Sequence, residues 1–161
     1  MMVALIRYGS RDYMRQTKMT APNRIGELAE LYRRRAAMAA LEVISEAFDV
    51  PLSRLTMATR QRANVAFARQ IAMYLCHVIA QLSVRDISTE FERERSTVVY
   101  ALHTIEDRRD SPLFEDQLEL LEIALRQRLA VIAADLIKLD EKNASAALPP
   151  PIEVKSVPMA V

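Results

Sequence analysis

The sequence predicts an all-α protein, and three observations carry that expectation. Only 2 glycines stand among 161 residues, and aromatic residues make up 6% of them, too little material for the tight turns and pleated surfaces of a β fold. The strong helix formers Ala, Leu, Arg, Glu and Met abound instead. Apolar residues also recur at three- and four-residue steps through most of the chain. The length suits one modest domain with tails.

The same counts exclude several chemistries. Gly9 and Gly26 cannot compose a G-x-x-x-x-G-K-[ST] loop or a G-x-G-x-x-G turn, so nucleotide binding by a phosphate-cradling loop is excluded. The single Cys76 cannot form an internal disulfide, and with His77 and His103 it falls short of a four-ligand zinc site. Cys76 and His77 are therefore expected to be structural or solvent-exposed, and no metal, nucleotide or other cofactor is expected. The apolar start, Met1 to Ile6, is cut by Arg7, Arg11 and Arg15 before a signal core or membrane span develops. A cytoplasmic protein without enzymatic activity is the expectation.

The net charge of +1 hides a gradient, with 11 basic against 6 acidic residues over 1–62 and 5 against 9 over 110–161. Of the 22 basic residues 18 are arginine, whose planar fork suits phosphate oxygens and guanine edges. Arginine is equally a good helix former on a solvated face, so position has to decide.

Residues 1–22 read as a basic, disordered leader. From Arg24 to Phe48 the residues Leu28, Leu31, Tyr32, Leu41, Ile44, Ala47 and Phe48 predict a long amphipathic helix, stopped by Pro51. A short helical turn with Leu52 and Leu55 follows, then a basic loop, Thr59-Arg60-Gln61-Arg62, ending at Asn64 as an N-cap. Val65, Ala68, Ala72, Leu75, Ile79 and Leu82 place one face of the next helix, about 64–81, in the core. Ser83-Val84-Arg85-Asp86 fits a capping box, opening a two-turn helix to about Phe91. After Glu92-Arg93-Glu94-Arg95, Ser96 is expected to cap another helix, with Val98, Leu102 and Ile105 inward and Arg95, Ser96, Val99 and His103 outward. A short helix, a tight connection and an exposed-face helix spell helix-turn-helix.

Beyond Asp110-Ser111-Pro112 a long helix is predicted over 113–143, where Leu118, Leu125, Ile132 and Leu139 repeat every seven residues. Its second column, Leu121, Leu129 and Leu136, slips at Arg128 and Asp135, so the ladder either packs on the domain itself or forms a seam for a homodimer or protein partner. Residues 144–161, with Pro149, Pro150, Pro151 and Pro158, read as a Pro-rich disordered tail.

Three ordered stretches carry a family resemblance. Ala68 to Leu75 is similar to an R-Q-x-A-M-x-L helix, Leu82 to Ile87 to an S-L-x-E-I helix start, and Arg93 to Ala101 with Ile105-Glu106 to G-G-R-D-H-T-T-V-x-H-A followed by K-I-E. Residues from about 41 to 125 thus resemble the C-terminal DNA-binding domain of the bacterial replication initiator DnaA, and the helix-turn-helix unit is placed at 23–125. The resemblance implies an all-helical, Trp-repressor-like helix-turn-helix that binds a short asymmetric duplex DNA box. It implies that Glu94, Arg95, Ser96 and Thr97 face bases in the major groove and that Arg60 and Arg62 lie in or along the minor groove. Arg93 joins them as a cation among the glutamates, and Arg69 as a phosphate contact or structural ion pair. One departure stands out: Glu92 occupies the place of two glycines, which shortens the turn by a residue.

In chemical terms, Arg95 suits guanine O6 and N7, Glu94 cytosine N4, and Thr97 a thymine methyl. The expected function is sequence-specific DNA binding that regulates replication initiation or transcription by occupancy, without membrane or nucleotide. Glu90, Glu92 and Glu94 oppose phosphate unless Arg93 and Arg95 neutralise them. The alternatives are a protein-interaction module that has lost DNA reading, and nonspecific nucleoid-type binding by the basic half.

Overall fold

The chain runs Arg-Arg-Arg-Ala-Ala-Met-Ala-Ala over residues 33–40, and that stretch sets how its helices meet. In a computed structural model describing residues 24–57 and 62–146, the elements are α1 (Arg24–Phe48), α2 (Leu52–Thr56), α3 (Ala63–Val78), α4 (Val84–Glu90), α5 (Arg95–Glu106) and α6 (Pro112–Ala146). The described residues contain no strand. The leader over 1–22 lies outside the described residues, and so does the tail from 147 onwards. Residues 144–146, expected in that tail, continue α6.

Ala36, Ala37, Ala39 and Ala40 of α1 are buried together with Leu41, Val43 and Ile44, and α1 packs against both α3 and α6. Side chains this small keep the helix favourable and let two partners approach closely. Ala47 and Phe48, expected on the buried face, are exposed instead. The buried surface of α1 is mostly alanine, which a ladder of large apolar residues does not reveal.

α3 is the centre. Ile71, Ala72, Met73, Tyr74, Leu75 and Cys76 are consecutive and all buried, because α1, α2, α4 and α5 contact this helix from different sides. The expectation of one buried face therefore understates it. Burial pushes the Cys76 thiol well above its ordinary value, with Glu90 adding to the effect. The Tyr74 hydroxyl donates to Glu106 at 2.8 Å and accepts from Arg109 at 2.7 Å. Arg109 also donates twice to Glu115, at 2.8 and 2.6 Å, so one polar chain ties α3, the end of α5 and the start of α6. The fork of Arg109 holds the Glu115 carboxyl below the usual carboxylate range.

The heptad column of α6 packs on its own chain. Leu118, Leu125, Leu129, Ile132 and Leu136 are buried, while Leu139 is 39% exposed. At the slips in the apolar pattern, Arg128 reaches Glu42 and Glu46 at 3.0 and 2.6 Å and Asp135 pairs with Arg35 at 2.9 Å. Arg24 pairs with Asp140. The partner numbers fall on one helix as they rise on the other, so α1 and α6 run antiparallel. The polar positions mark where the seam reaches solvent.

Asp49, Gln81 and Glu92 take φ of 50, 57 and 51°. Each follows a helix end, where a left-handed residue lets the next amides turn back onto free carbonyls. Val50 N donates to Ser45 O and Arg93 N to Ser88 O in this way, at 3.2 and 3.0 Å. With both glycines elsewhere, residues carrying a Cβ fill these places at some steric cost. Gln81→Gly should therefore stabilise the fold by about 0.5–1 kcal/mol in urea unfolding. Cys76 should stay unlabelled by a thiol reagent in the native protein and react at the rate of global unfolding, since both its burial and its raised pKa suppress the thiolate.

Candidate nucleic-acid interface

α4 starts with the capping box that the sequence announces. Ser83 Oγ accepts from the Asp86 amide at 3.1 Å and Asp86 Oδ2 accepts from the Ser83 amide at 3.3 Å. At its other end, Phe91 is buried and Glu92 N donates to Thr89 O at 3.3 Å, so residues 91–94 turn the chain tightly into α5. The expected glycine site is occupied by Glu92 in the left-handed conformation.

α5 begins one residue before the expected cap. Glu94 is the N-cap, without a side-chain cap bond, and Ser96 lies within the first turn. Asn64 differs in the same way: α3 starts at Ala63 with Arg62 as N-cap, again without a side-chain bond. In both helices a charged side chain takes the cap position, and the polar side chain beyond it is exposed.

Val98, Ala101 and Ile105 anchor α5 in the core. Arg95, Ser96, Thr97, Val99, Tyr100 and His103 are exposed on the other side, and among the described residues Arg95, Ser96 and Thr97 give no side-chain hydrogen bond or ion pair. Sequence reasoning did not single out Tyr100, which is 64% exposed beside Val99 at 41%. The signal for it was spacing: 95, 96, 99, 100 and 103 share a helix face.

Two other arginines are occupied within the protein. Arg69 is only 8% exposed. Its Nε donates to Leu55 O at 2.7 Å, and its Nη2 lies 3.1 Å from Arg54 O and 3.2 Å from Met57 O. These are carbonyls at the end of α2, which has no intrahelical donors left for them. Burial lowers the pKa of this guanidinium, and the positive charge of Arg93 lowers it further. Arg93 donates from Nη1 to Glu92 O at 2.9 Å and from Nη2 to Met57 O. Arg69 and Arg93 thus converge on one carbonyl, joining α3, the end of α2 and the turn before α5. Arg62 is exposed at the start of α3. Arg60 lies outside the described residues.

The acidic residues have more basic neighbours than sequence reasoning gave them. Glu90 and Glu92 line a cleft with Glu30, Asp86, Arg33, Arg34 and Arg85, and Arg33 Nε lies 3.5 Å from Asp86. The arginines of α1 thereby offset charge at the back of the turn, a contribution that only the packing of α1 on α4 reveals. Among the described residues no three His, Cys, Asp or Glu side chains gather as a metal site, and no helix is long and apolar enough to cross a membrane.

Residues 38–105 match the family model of the bacterial dnaA protein helix-turn-helix. Over this stretch the chain is similar to that family. The chain is 37% identical over 83 residues to the chromosomal replication initiator protein DnaA of Lachnoclostridium phytofermentans, covering 50% of this chain and 18% of that protein. To the DnaA of Tropheryma whipplei it is 35% identical over 89 residues, covering 54% and 18%. The chain thus spans less than a fifth of the length of these relatives. A crystal structure of a DNA replication initiation factor superposes with a TM-score of 0.59 at 25% identity, over 64% of this chain and 32% of the other. A replication initiator DnaA bound to AMPPCP and single-stranded DNA shares the fold, with a TM-score of 0.58 at 21% identity over 73% and 36%. The matched stretch begins midway along α1 and ends at Ile105 in the last turn of α5, so α6 lies beyond it.

The convergence at Met57 has a measurable cost of removal. Arg69→Met keeps the apolar stem but strips the donor from the buried Leu55 carbonyl and from the part-buried carbonyls of Arg54 and Met57, and should destabilise the protein by about 1–3 kcal/mol in urea unfolding.

Proposed function

We propose that this chain binds duplex DNA in a sequence-specific manner and regulates replication initiation or transcription by occupying its site. The observation that carries the reading is the start of α5: an exposed Arg95-Ser96-Thr97 run on the second helix of a dnaA-type helix-turn-helix. Placed in a major groove, Arg95 can donate two bonds to guanine O6 and N7, Glu94 can accept from cytosine N4, and the Thr97 methyl can pack on thymine. Arg62, with Arg60 preceding it in sequence, supplies the backbone or minor-groove contact. Arg69 and Arg93 serve by bracing, because their donors are engaged by main-chain carbonyls. The matched stretch is a helix-turn-helix and carries no ATPase part, which supports occupancy without an enzymatic role. Action at DNA places the protein in the cytoplasm with the nucleoid.

A second reading, a protein-interaction module or homodimer built on α6, is favoured by one observation. Leu120, Ile123, Val131 and Ile137 are exposed on α6, and Leu120 and Val131 border clefts shared with α1. It predicts near-absent DNA binding even at low salt.

Fluorescence anisotropy with a duplex carrying an initiator-type box and with a scrambled duplex, at low and near-physiological salt, separates the two. A preference for the box that persists at the higher salt is the expected result. Arg95→Ala should cost about 1–3 kcal/mol on the preferred duplex alone. Arg62→Ala should weaken all duplexes alike and reduce the salt slope by about 1.

A further inference from the structure

We infer that α6 pairs with α6 of a second copy of this chain, antiparallel, through a ladder of exposed residues that the fold leaves unused. The inference rests on the α6 surface of the second reading above and holds whether or not the chain binds DNA. The heptad column that the sequence offers as a seam is spent inside the chain, since Leu118, Leu125, Leu129, Ile132 and Leu136 are buried. A second ladder remains on the same helix. Leu120, Ile123, Gln127, Ala130, Ala134 and Ile137 follow one another at steps of three, four, three, four and three residues, the spacing of a coiled-coil seam. All six are exposed, and Val131 adds apolar surface beside them. The stripe is about 25 Å long, and it lies outside the stretch that is similar to the dnaA family.

The order of sizes along the ladder selects both the occupant and its direction. In a parallel pair Ala130 would meet Ala130 and Ala134 would meet Ala134, two successive layers without a large side chain, whose gap forfeits packing. In an antiparallel pair, about a two-fold axis between positions 128 and 129, Leu120 meets Ile137 of the second copy, Ile123 meets Ala134 and Gln127 meets Ala130. Every small residue then faces a larger one, so the ladder is complementary to itself, as an isologous contact requires. Gln127, the polar member of the six, comes to lie about 4.5 Å along the axis from Gln127 of the second copy, within reach for the two amides to bond each other. A lone polar residue in such a seam fixes its register. Each end of the stripe gathers Asp116 of one copy with Lys138, Glu141 and Lys142 of the other, two acids with two bases, whereas a parallel pair would set Asp116 against Asp116. Arg126, beside the ladder, is already paired with Glu122 of its own chain. A contact of this length stands at the low end of stable interfaces, which sets the dimer in the micromolar range.

Sedimentation equilibrium of the full chain without DNA, from about 1 to 100 µM, should show a monomer passing into a dimer. Ile123→Lys sets a charge in the seam and should weaken the dimer about 100-fold or more. Gln127→Leu should tighten it about 10-fold, since the polar residue trades strength for register. Circular dichroism should show both variants as helical as the parent, because the two side chains are exposed in the single chain. Direction is read with a short bis-maleimide, for which the buried Cys76 does not compete. Leu120→Cys and Ile137→Cys should link to each other when mixed and neither to itself, because like positions lie about 25 Å apart in the antiparallel pair. A chain that stays monomeric up to about 100 µM, a dimer indifferent to Ile123→Lys, or a Leu120→Cys variant that links to itself each overturns the inference. None of these readouts involves DNA, so each of them leaves the DNA-binding reading as it stands.

Discussion

Everything in this structure is positioned by the burial of α3. A helix whose residues 71–76 are all buried has no solvated side, so each neighbour must present a surface that fits it, and α1, α2, α4 and α5 do. Much of the surface that α1 offers is alanine. That choice trades large apolar contacts for close approach, and it leaves α1 free to meet α6 on another side.

The polar chemistry follows the same axis. Arg69 near the start of α3 holds the end of α2, and Tyr74 further along holds Glu106 and Arg109. Both are polar groups carried by the most buried helix, and both are bonded, as groups cut off from water must be. No buried side-chain nitrogen or oxygen among the described residues lacks a partner. Because Arg93 meets Arg69 at Met57, the turn of the helix-turn-helix and the departure of the chain from α2 are fixed against one another and against the core.

Most of the architecture was legible in the sequence because it is local. The end of α1 follows from Pro51, the capping box from Ser83 and Asp86, and the outward face of α5 from spacing alone. What stayed hidden depends on which helix lies across from which. The alanine face of α1, the burial of α3 on all sides and the engagement of Arg69 by carbonyls are tertiary facts, and no periodicity encodes them. Arg128 and Asp135 show the same limit. They read as defects in a leucine ladder until Glu42, Glu46 and Arg35 are seen opposite. At the candidate interface, resemblance supplied the run Glu94 to Thr97, while Val99 and Tyr100 emerge as a paired apolar surface only when exposure is known.

The antiparallel pairing of α1 with α6 brings the two ends of the described chain together, as Arg24 and Asp140 mark. The first two turns of α1 extend beyond the point where Glu30 and Arg33 meet α4, and they pair with α6 there. The first turn of α1 and the last turns of α6 therefore lie side by side at one end of the described fold. Groups joined to these two helix ends would be brought near one another, at the end of the fold where α1 and α6 pair.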